Sequence, residues 1–163
     1  MLFLKGIIIF YINSIMTTNI VLKSQNSMSY VSGKAVFKMN WATFLEDPNA
    51  EYLVSFSYIT ELTNTLDATD LYTLSLDNIG LLKTIQGGEY NSSTSTDIGW
   101  VKTEELHSAA AEHRLRADYC TNPPVSLVGR PTQDILEIAL RDLTGTLMQK
   151  TPQFVLFLRF EKK

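Results

Sequence analysis

His107, His113 and Cys120 are the residues of this sequence best suited to chemistry, and their spacing decides what they could do. A zinc site takes three or four ligands at short, defined intervals, and a cupin-type metal site takes histidines two apart on a strand. Neither pattern is present. Cys120 could pair with either histidine as a nucleophile. A lone thiol beside Tyr119 and ahead of Asn122-Pro123-Pro124, however, reads as a small buried hydrophobe in a strand. Glu46-Asp47 and Glu104-Glu105 are adjacent carboxylates, and neighbours on a strand face opposite ways, so neither pair can share an acid–base task. Both pairs read as solvated. Gly87-Gly88 lacks the Gly-Lys-Ser/Thr and the helix that a phosphate loop needs. Asn91-Ser92-Ser93 satisfies the glycosylation sequon, but the single cysteine argues against secretory passage and the site reads as unoccupied. Trp41, Tyr90 and Trp100 could offer a stacking platform to a sugar, but the apolar neighbours of both tryptophans favour the core. No catalytic, cofactor-binding or metal residue is assigned, and the chain reads as a non-enzyme.

The elements that would position these residues are strands. Leu136, Ile138 and Leu140 share one face of a segment from Asp134 to Asp142, with Glu137 and Arg141 on the other, and a period of two marks a sheet. After the tight turn Asp142-Leu143-Thr144-Gly145, the segment from Gln153 to Glu161 places Phe154, Leu156, Leu158 and Phe160 on one face. Val155 and Phe157 make its opposite face apolar too, which predicts burial on both sides. Ile20 to Lys23 gives a first strand, and Ala35, Phe37 and Met39 mark the inward face of a second. Trp41, Phe44 and Leu45 behind Asn40, a good N-cap, predict a short helix near residues 41–46 that Asp47-Pro48-Asn49 stops. Glu51 to Thr60 is a long strand with Tyr52, Val54, Phe56 and Tyr58 inward. Next come Tyr72, Leu74 and Leu76 inward, with Thr73 and Ser75 outward. Gln86 to Asp97 is a polar loop by composition. Trp100 and Val101 restart a strand, Thr103 to Glu112 is ambiguous, and Arg114 to Tyr119 alternates again. Asn122-Pro123-Pro124 forces an extended entry into Val125, Leu127 and Val128, which Gly129-Arg130-Pro131 ends. About eight strands with no βαβ alternation predict an all-β, antiparallel sandwich of jelly-roll type.

At 163 residues, 45% hydrophobic and 19% charged, the chain has the size and composition of one globular domain. Its formal charge of -3 comes from dispersed residues and excludes a general nucleic-acid binder, which needs clustered Lys and Arg. Cys120 is the single cysteine, so no internal disulfide forms and a reducing compartment is implied. Residues 1–15, MLFLKGIIIFYINSI, are too short to span a bilayer comfortably as a helix. No small-x-small cleavage site follows Ile12, which weighs against a signal peptide. Met16-Thr17-Thr18-Asn19 would serve as a start of its own, so residues 1–15 are either an apolar arm or an over-extended gene model. An arm of this kind would dock on the domain, a neighbouring subunit or a membrane surface, the simplest form being a strand added to a sheet edge. Residues 16–163 then form the single domain.

The segment Asn40-Trp41-Ala42-Thr43-Phe44-Leu45, the strand Tyr52-Leu53-Val54-Ser55-Phe56-Ser57-Tyr58, and the terminal unit from Asn122-Pro123-Pro124 through Gly129-Arg130-Pro131 to Phe160 carry a resemblance. In order and texture the chain resembles the single-jelly-roll minor capsid proteins of large icosahedral double-stranded DNA viruses. That resemblance implies a structural virion protein, assembled in the host cytoplasm, that cements or bridges major capsid capsomers. Its implied partners are the major capsid protein, other minor capsid proteins and further copies of itself, with no nucleic acid and no cofactor. On the same fold, a carbohydrate-binding or trimeric receptor-ligand module is the alternative.

Overall fold

A computed structural model describes residues 16–83, 96–105 and 112–163 of the chain. Residues 1–15, His107, most of the 86–97 loop with its sequon and Tyr90, and the ambiguous stretch around residues 106–111 lie outside them. The described elements are β1 (Thr17–Lys23), β2 (Ser29–Val31), β3 (Lys34–Lys38), α1 (Trp41–Phe44), β4 (Glu51–Thr60), β5 (Leu71–Asp77), β6 (Leu81–Lys83), β7 (Asp97–Glu105), β8 (His113–Ala117), β9 (Val125–Val128), β10 (Ile135–Arg141) and β11 (Phe154–Lys162). All strand pairs are antiparallel.

The hydrogen-bonded path runs β1-β11-β4-β8-β7-β5-β10-β3-β2, with β9 joining β4 to β6. It curls back on itself around β8, because β4 is long enough to serve two neighbours along one edge. Its first half, Glu51 to Val54, pairs with β9, while Tyr58 and Ile59 pair with β8. Two layers result. One carries β1-β11-β4-β9-β6 and the other β7-β5-β10-β3-β2. Counted over eight principal strands (β1, β3, β4, β5, β7, β9, β10, β11), the layer orders are 1-8-3-6 and 2-7-4-5. This is the jelly-roll arrangement of an all-β sandwich. β10 and β11 belong to different layers and are not partners, although a tight turn follows β10. The turn instead returns the chain beside β10, where Leu147 bridges Arg141 and the Met148 amide donates to the Leu140 carbonyl at 2.9 Å, before it crosses to the other layer.

The core lies between the layers, and the two-residue period fills it. Tyr52, Val54, Phe56 and Tyr58 of β4, Leu74 and Leu76 of β5, Leu136, Ile138 and Leu140 of β10, and Leu156, Leu158 and Phe160 of β11 are all buried. Ring contacts cross it: Phe154 of β11 stacks on Tyr58 at 5.3 Å and meets Phe37 of β3 edge-on at 6.4 Å. The short helix closes one end. Trp41 packs edge-on against Phe160 at 5.9 Å, and Leu45 is buried beside it.

Three local expectations change. Asn40 makes no side-chain cap; its carbonyl accepts from the Thr43 amide at 3.0 Å, because a four-residue helix closes through backbone bonds alone. Ser75, expected on the outward face, is buried there and donates to the Ala139 carbonyl at 3.3 Å. β11 is buried on one face only, with Phe157 38% exposed on the other.

Candidate functional site

His113 opens β8, and its backbone exchanges two 2.9 Å hydrogen bonds with Thr63. Its Nδ1 is buried without a partner. Cys120 was expected within a strand, but β8 ends at Ala117 and the thiol is exposed in the turn that follows. The Thr121 amide and hydroxyl both donate to the Asp118 carbonyl, at 3.0 and 2.7 Å, and this closes the turn. The length of β8, roughly 13 Å at strand rise, separates His113 from that turn, so the two do not form a nucleophile–base pair. Among the described residues no cluster of three or more His, Cys, Asp or Glu could hold a metal ion.

One carboxylate of each adjacent pair is used in an ion pair. Glu104 accepts from Arg114 Nε and, at 3.1 Å, from Arg116 Nη1, and these bonds hold its carboxyl below the usual range. It is therefore paired where a solvated carboxylate was expected. Asp47 accepts from Lys162 Nζ at 2.7 Å, which likewise lowers its pKa and raises that of the lysine. This second pair borders a cleft of about 230 Å³ lined by Met16, Thr18, Phe44, Tyr52 and Lys162 among others. Thr18 Oγ1 donates to the Phe44 carbonyl at 3.0 Å and the Tyr52 hydroxyl to the Asp47 carbonyl at 2.8 Å. These groups bind one another. The cleft is the joint where β1, the α1 end and the last strand meet.

Surface chemistry is concentrated instead on the outward faces of the two layers. On the β1-β11-β4 face, the register sets Val21 opposite Phe157 and Phe157 opposite Ser57, with Val155 and Ile59 paired alongside. Val21 is 50% exposed, so this row is an apolar stripe in contact with water. Arg159 and Glu161, ion-paired on the same face, bound it. On the opposite layer Trp100 is 46% exposed, whereas Trp41 is 1% exposed. The core expectation holds for Trp41 and fails for Trp100. A bulge is the reason: the β5–β7 register slips between Leu74 and Ser75, so Ile98 and Val101 both point inward and Trp100 outward. Trp100 pairs with Thr73, and exposed Leu71 sits diagonally beside it. Sequence parity alone could have flagged Trp100, since Val101 next to it is the better core residue; Phe157 could have been flagged by the charges that follow on its face.

No protein-family model matches this chain, and no curated protein does.

Proposed function

We propose that this protein works by contact, as a minor capsid component that cements or bridges major capsid capsomers in an icosahedral double-stranded DNA virus. The observation that carries this reading is the jelly-roll strand order joined to an exposed apolar row, Val21 and Phe157, on the outer face of one layer. A rigid sandwich presents that row at fixed geometry, and exposed apolar residues rimmed by charge mark protein–protein contact sites. The partners under this reading are the major capsid protein, other minor capsid proteins and copies of the chain, without enzymatic activity or nucleic-acid contact. Mass spectrometry of purified virions from the source that encodes the chain tests it. Stoichiometric recovery in intact particles is the expected result, and absence from them overturns the proposal.

The second reading, a carbohydrate-binding module, is favoured by one observation, the exposed ring of Trp100 beside Leu71. Glycan-array binding that Trp100→Ala abolishes while leaving the unfolding transition in place would move the assignment to that class.

A further inference from the structure

β1 ends its layer, and among the described residues its second edge has no strand partner. The other end strands, β2 and β6, are three residues each. β1 runs for seven residues, pairs with β11 without a break in register and holds no proline, and its one charge, Lys23, stands at the last position. Sheets blunt an edge with short strands, bulges and proline, and a long edge without them is a template for another strand. The pairing with β11 fixes which backbone groups are free. The Lys162 amide donates to the Met16 carbonyl at 3.0 Å, so Met16 and Lys162 form a hydrogen-bonded pair, and such pairs alternate along an antiparallel ladder. The N–H and C=O groups of Thr17, Asn19, Val21 and Lys23 therefore point to the open edge. Ile20 and Leu22 face the core, so the side chains of those same four residues stand on the outer face.

We propose that β1 of a second copy of this chain closes the edge, antiparallel about a two-fold axis that passes between the two Ile20 residues. Thr17 then lies opposite Lys23 of the second copy and Asn19 opposite Val21. This register engages the whole strand and turns the free groups of both copies into about eight backbone hydrogen bonds. On the outer face the two Val21 side chains become diagonal neighbours, so the Val21–Phe157 rows of both copies meet. Charge selects the second copy as the occupant and fixes the register. Lys23 is exposed and has no ion pair among the described residues. Thr17 is paired with Glu161 on β11, so the register sets Lys23 about 10 Å, two strand spacings, from Glu161 of the second copy, a gap that an extended lysine and a glutamate span. Arg159 holds Oε1 of that carboxylate, and Oε2 accepts the second cation. Slipping the strands until Val21 meets Val21 shortens the overlap and carries Lys23 beside Arg159 instead, because Asn19 is paired with Arg159. A strand pair about 24 Å long buries less than the roughly 1,200–2,000 Å² of a stable interface, so the dimer dissociates in the micromolar range. The inference does not rest on the capsid reading: a monomer in solution removes it and leaves virion recovery to decide the other.

Sedimentation equilibrium of the whole chain from micromolar to near-millimolar concentration, with backbone hydrogen exchange followed by NMR across the same range, tests the proposal. The expected result is a monomer–dimer equilibrium in which the amides of Thr17, Asn19, Val21 and Lys23 gain protection as the dimer forms. Val21→Pro removes one of the free amides and no bond to β11, so it should abolish the dimer and leave the unfolding transition in place. Lys23→Glu sets like charges together twice per dimer and should weaken association about tenfold, and combining it with Glu161→Lys should restore it. A chain that stays monomeric overturns the proposal; if the four amides are protected nonetheless, the edge belongs to the chain's own residues before Met16. A dimer indifferent to Val21→Pro or to Lys23→Glu overturns it equally, because it then forms on another surface or in another register.

Discussion

The carboxamide of Asn122 takes both hydrogen bonds that the Trp100 peptide offers at the open half of β7. The Trp100 amide donates to Oδ1 at 2.8 Å, and Nδ2 donates to the Trp100 carbonyl at 3.0 Å. β8 pairs with β7 only from Lys102 onward, so this buried side chain stands where a strand would otherwise be. Asn122→Ala should cost about 1–3 kcal/mol, the range for leaving buried polar groups unpaired. Gly99 makes the approach possible, since a Cβ there would collide with the Asn122 side chain and come within 2.8 Å of the Phe56 ring. Gly99→Ala should therefore destabilise through the same carboxamide, and urea denaturation of the double variant should show less than the sum of the two losses. Glu104 gives the residue-scale pH dependence. Its folded pKa lies below the ordinary value, so its contribution is present above the unfolded carboxylate pKa, about 4.3, and is lost as pH falls through that value and the lower folded one. Its pairs are a third exposed, so the contribution is about 0.2–1 kcal/mol. Glu104→Gln should lower stability near pH 7 and flatten its decline below pH 5, measured as urea midpoints against pH.

Two glycines with similar backbone angles separate conformational strain from close packing at the scale of the element. Gly33 (φ +68°) follows Ser32 (φ +48°) in the two-residue turn between β2 and β3, where both positive angles match a type I′ hairpin. Gly145 (φ +84°) closes the turn after β10, in which the Asp142 carboxylate accepts from the amides of Thr144 at 2.9 Å and Thr146 at 3.0 Å. A Cβ at Gly33 would lie 2.8 Å from the Met148 Cβ, whereas one at Gly145 would meet nothing within 4 Å. Gly145→Ala should thus cost about 1–2 kcal/mol from the left-handed backbone alone. Gly33→Ala should cost more, and the difference in their denaturation free energies measures how tightly the chain after β10 packs on the hairpin. The Ser32-Gly33 pair is a legible turn signal that the short Ser29–Val31 strand obscured, because three residues show no period. Long strands were legible for the opposite reason: the inward rows of β4 and β10 emerge where five or more alternating residues agree. Period two reports which face a residue takes and is silent on which strand lies next to it, so the crossing of β10 and β11 into different layers could not be read from their adjacency. The outward face of Trp100 follows from the parity of Val101, but the bulge that lets Ile98 and Val101 both face inward could not be read, since it is set by the partner strand's register.

At the scale of the whole molecule, two exposed apolar pairs lie on different layers, Phe157 with Val21 on one outer face and Trp100 with Leu71 on the other. The difference bears on the kind of contact the proposed capsid role would need. A protein that cements from beneath requires one adhesive face, while one that bridges two capsomers requires two. Interface energy concentrates in a few large side chains, with Trp prominent among them, and truncating such a residue typically costs 2 kcal/mol or more in binding, roughly a thirtyfold loss in affinity. Both side chains point away from the core, so their replacement should cost about 1 kcal/mol of folding stability, the span of strand propensity and cross-strand pairing. Phe157→Asp also sets a charge into the row without touching the core, because its neighbours Leu156 and Leu158 point the other way. Particles assembled with each variant, and with both, should be scored for retention of this protein by quantitative mass spectrometry after salt washing. For a bridge, Phe157→Asp and Trp100→Ala each reduce retention and together reduce it further. For a one-sided cement, Phe157→Asp accounts for the whole loss and Trp100→Ala is silent. Retention unchanged by all three would remove these two outer faces as the gripping surface, because each variant takes away the largest exposed apolar side chain of its face.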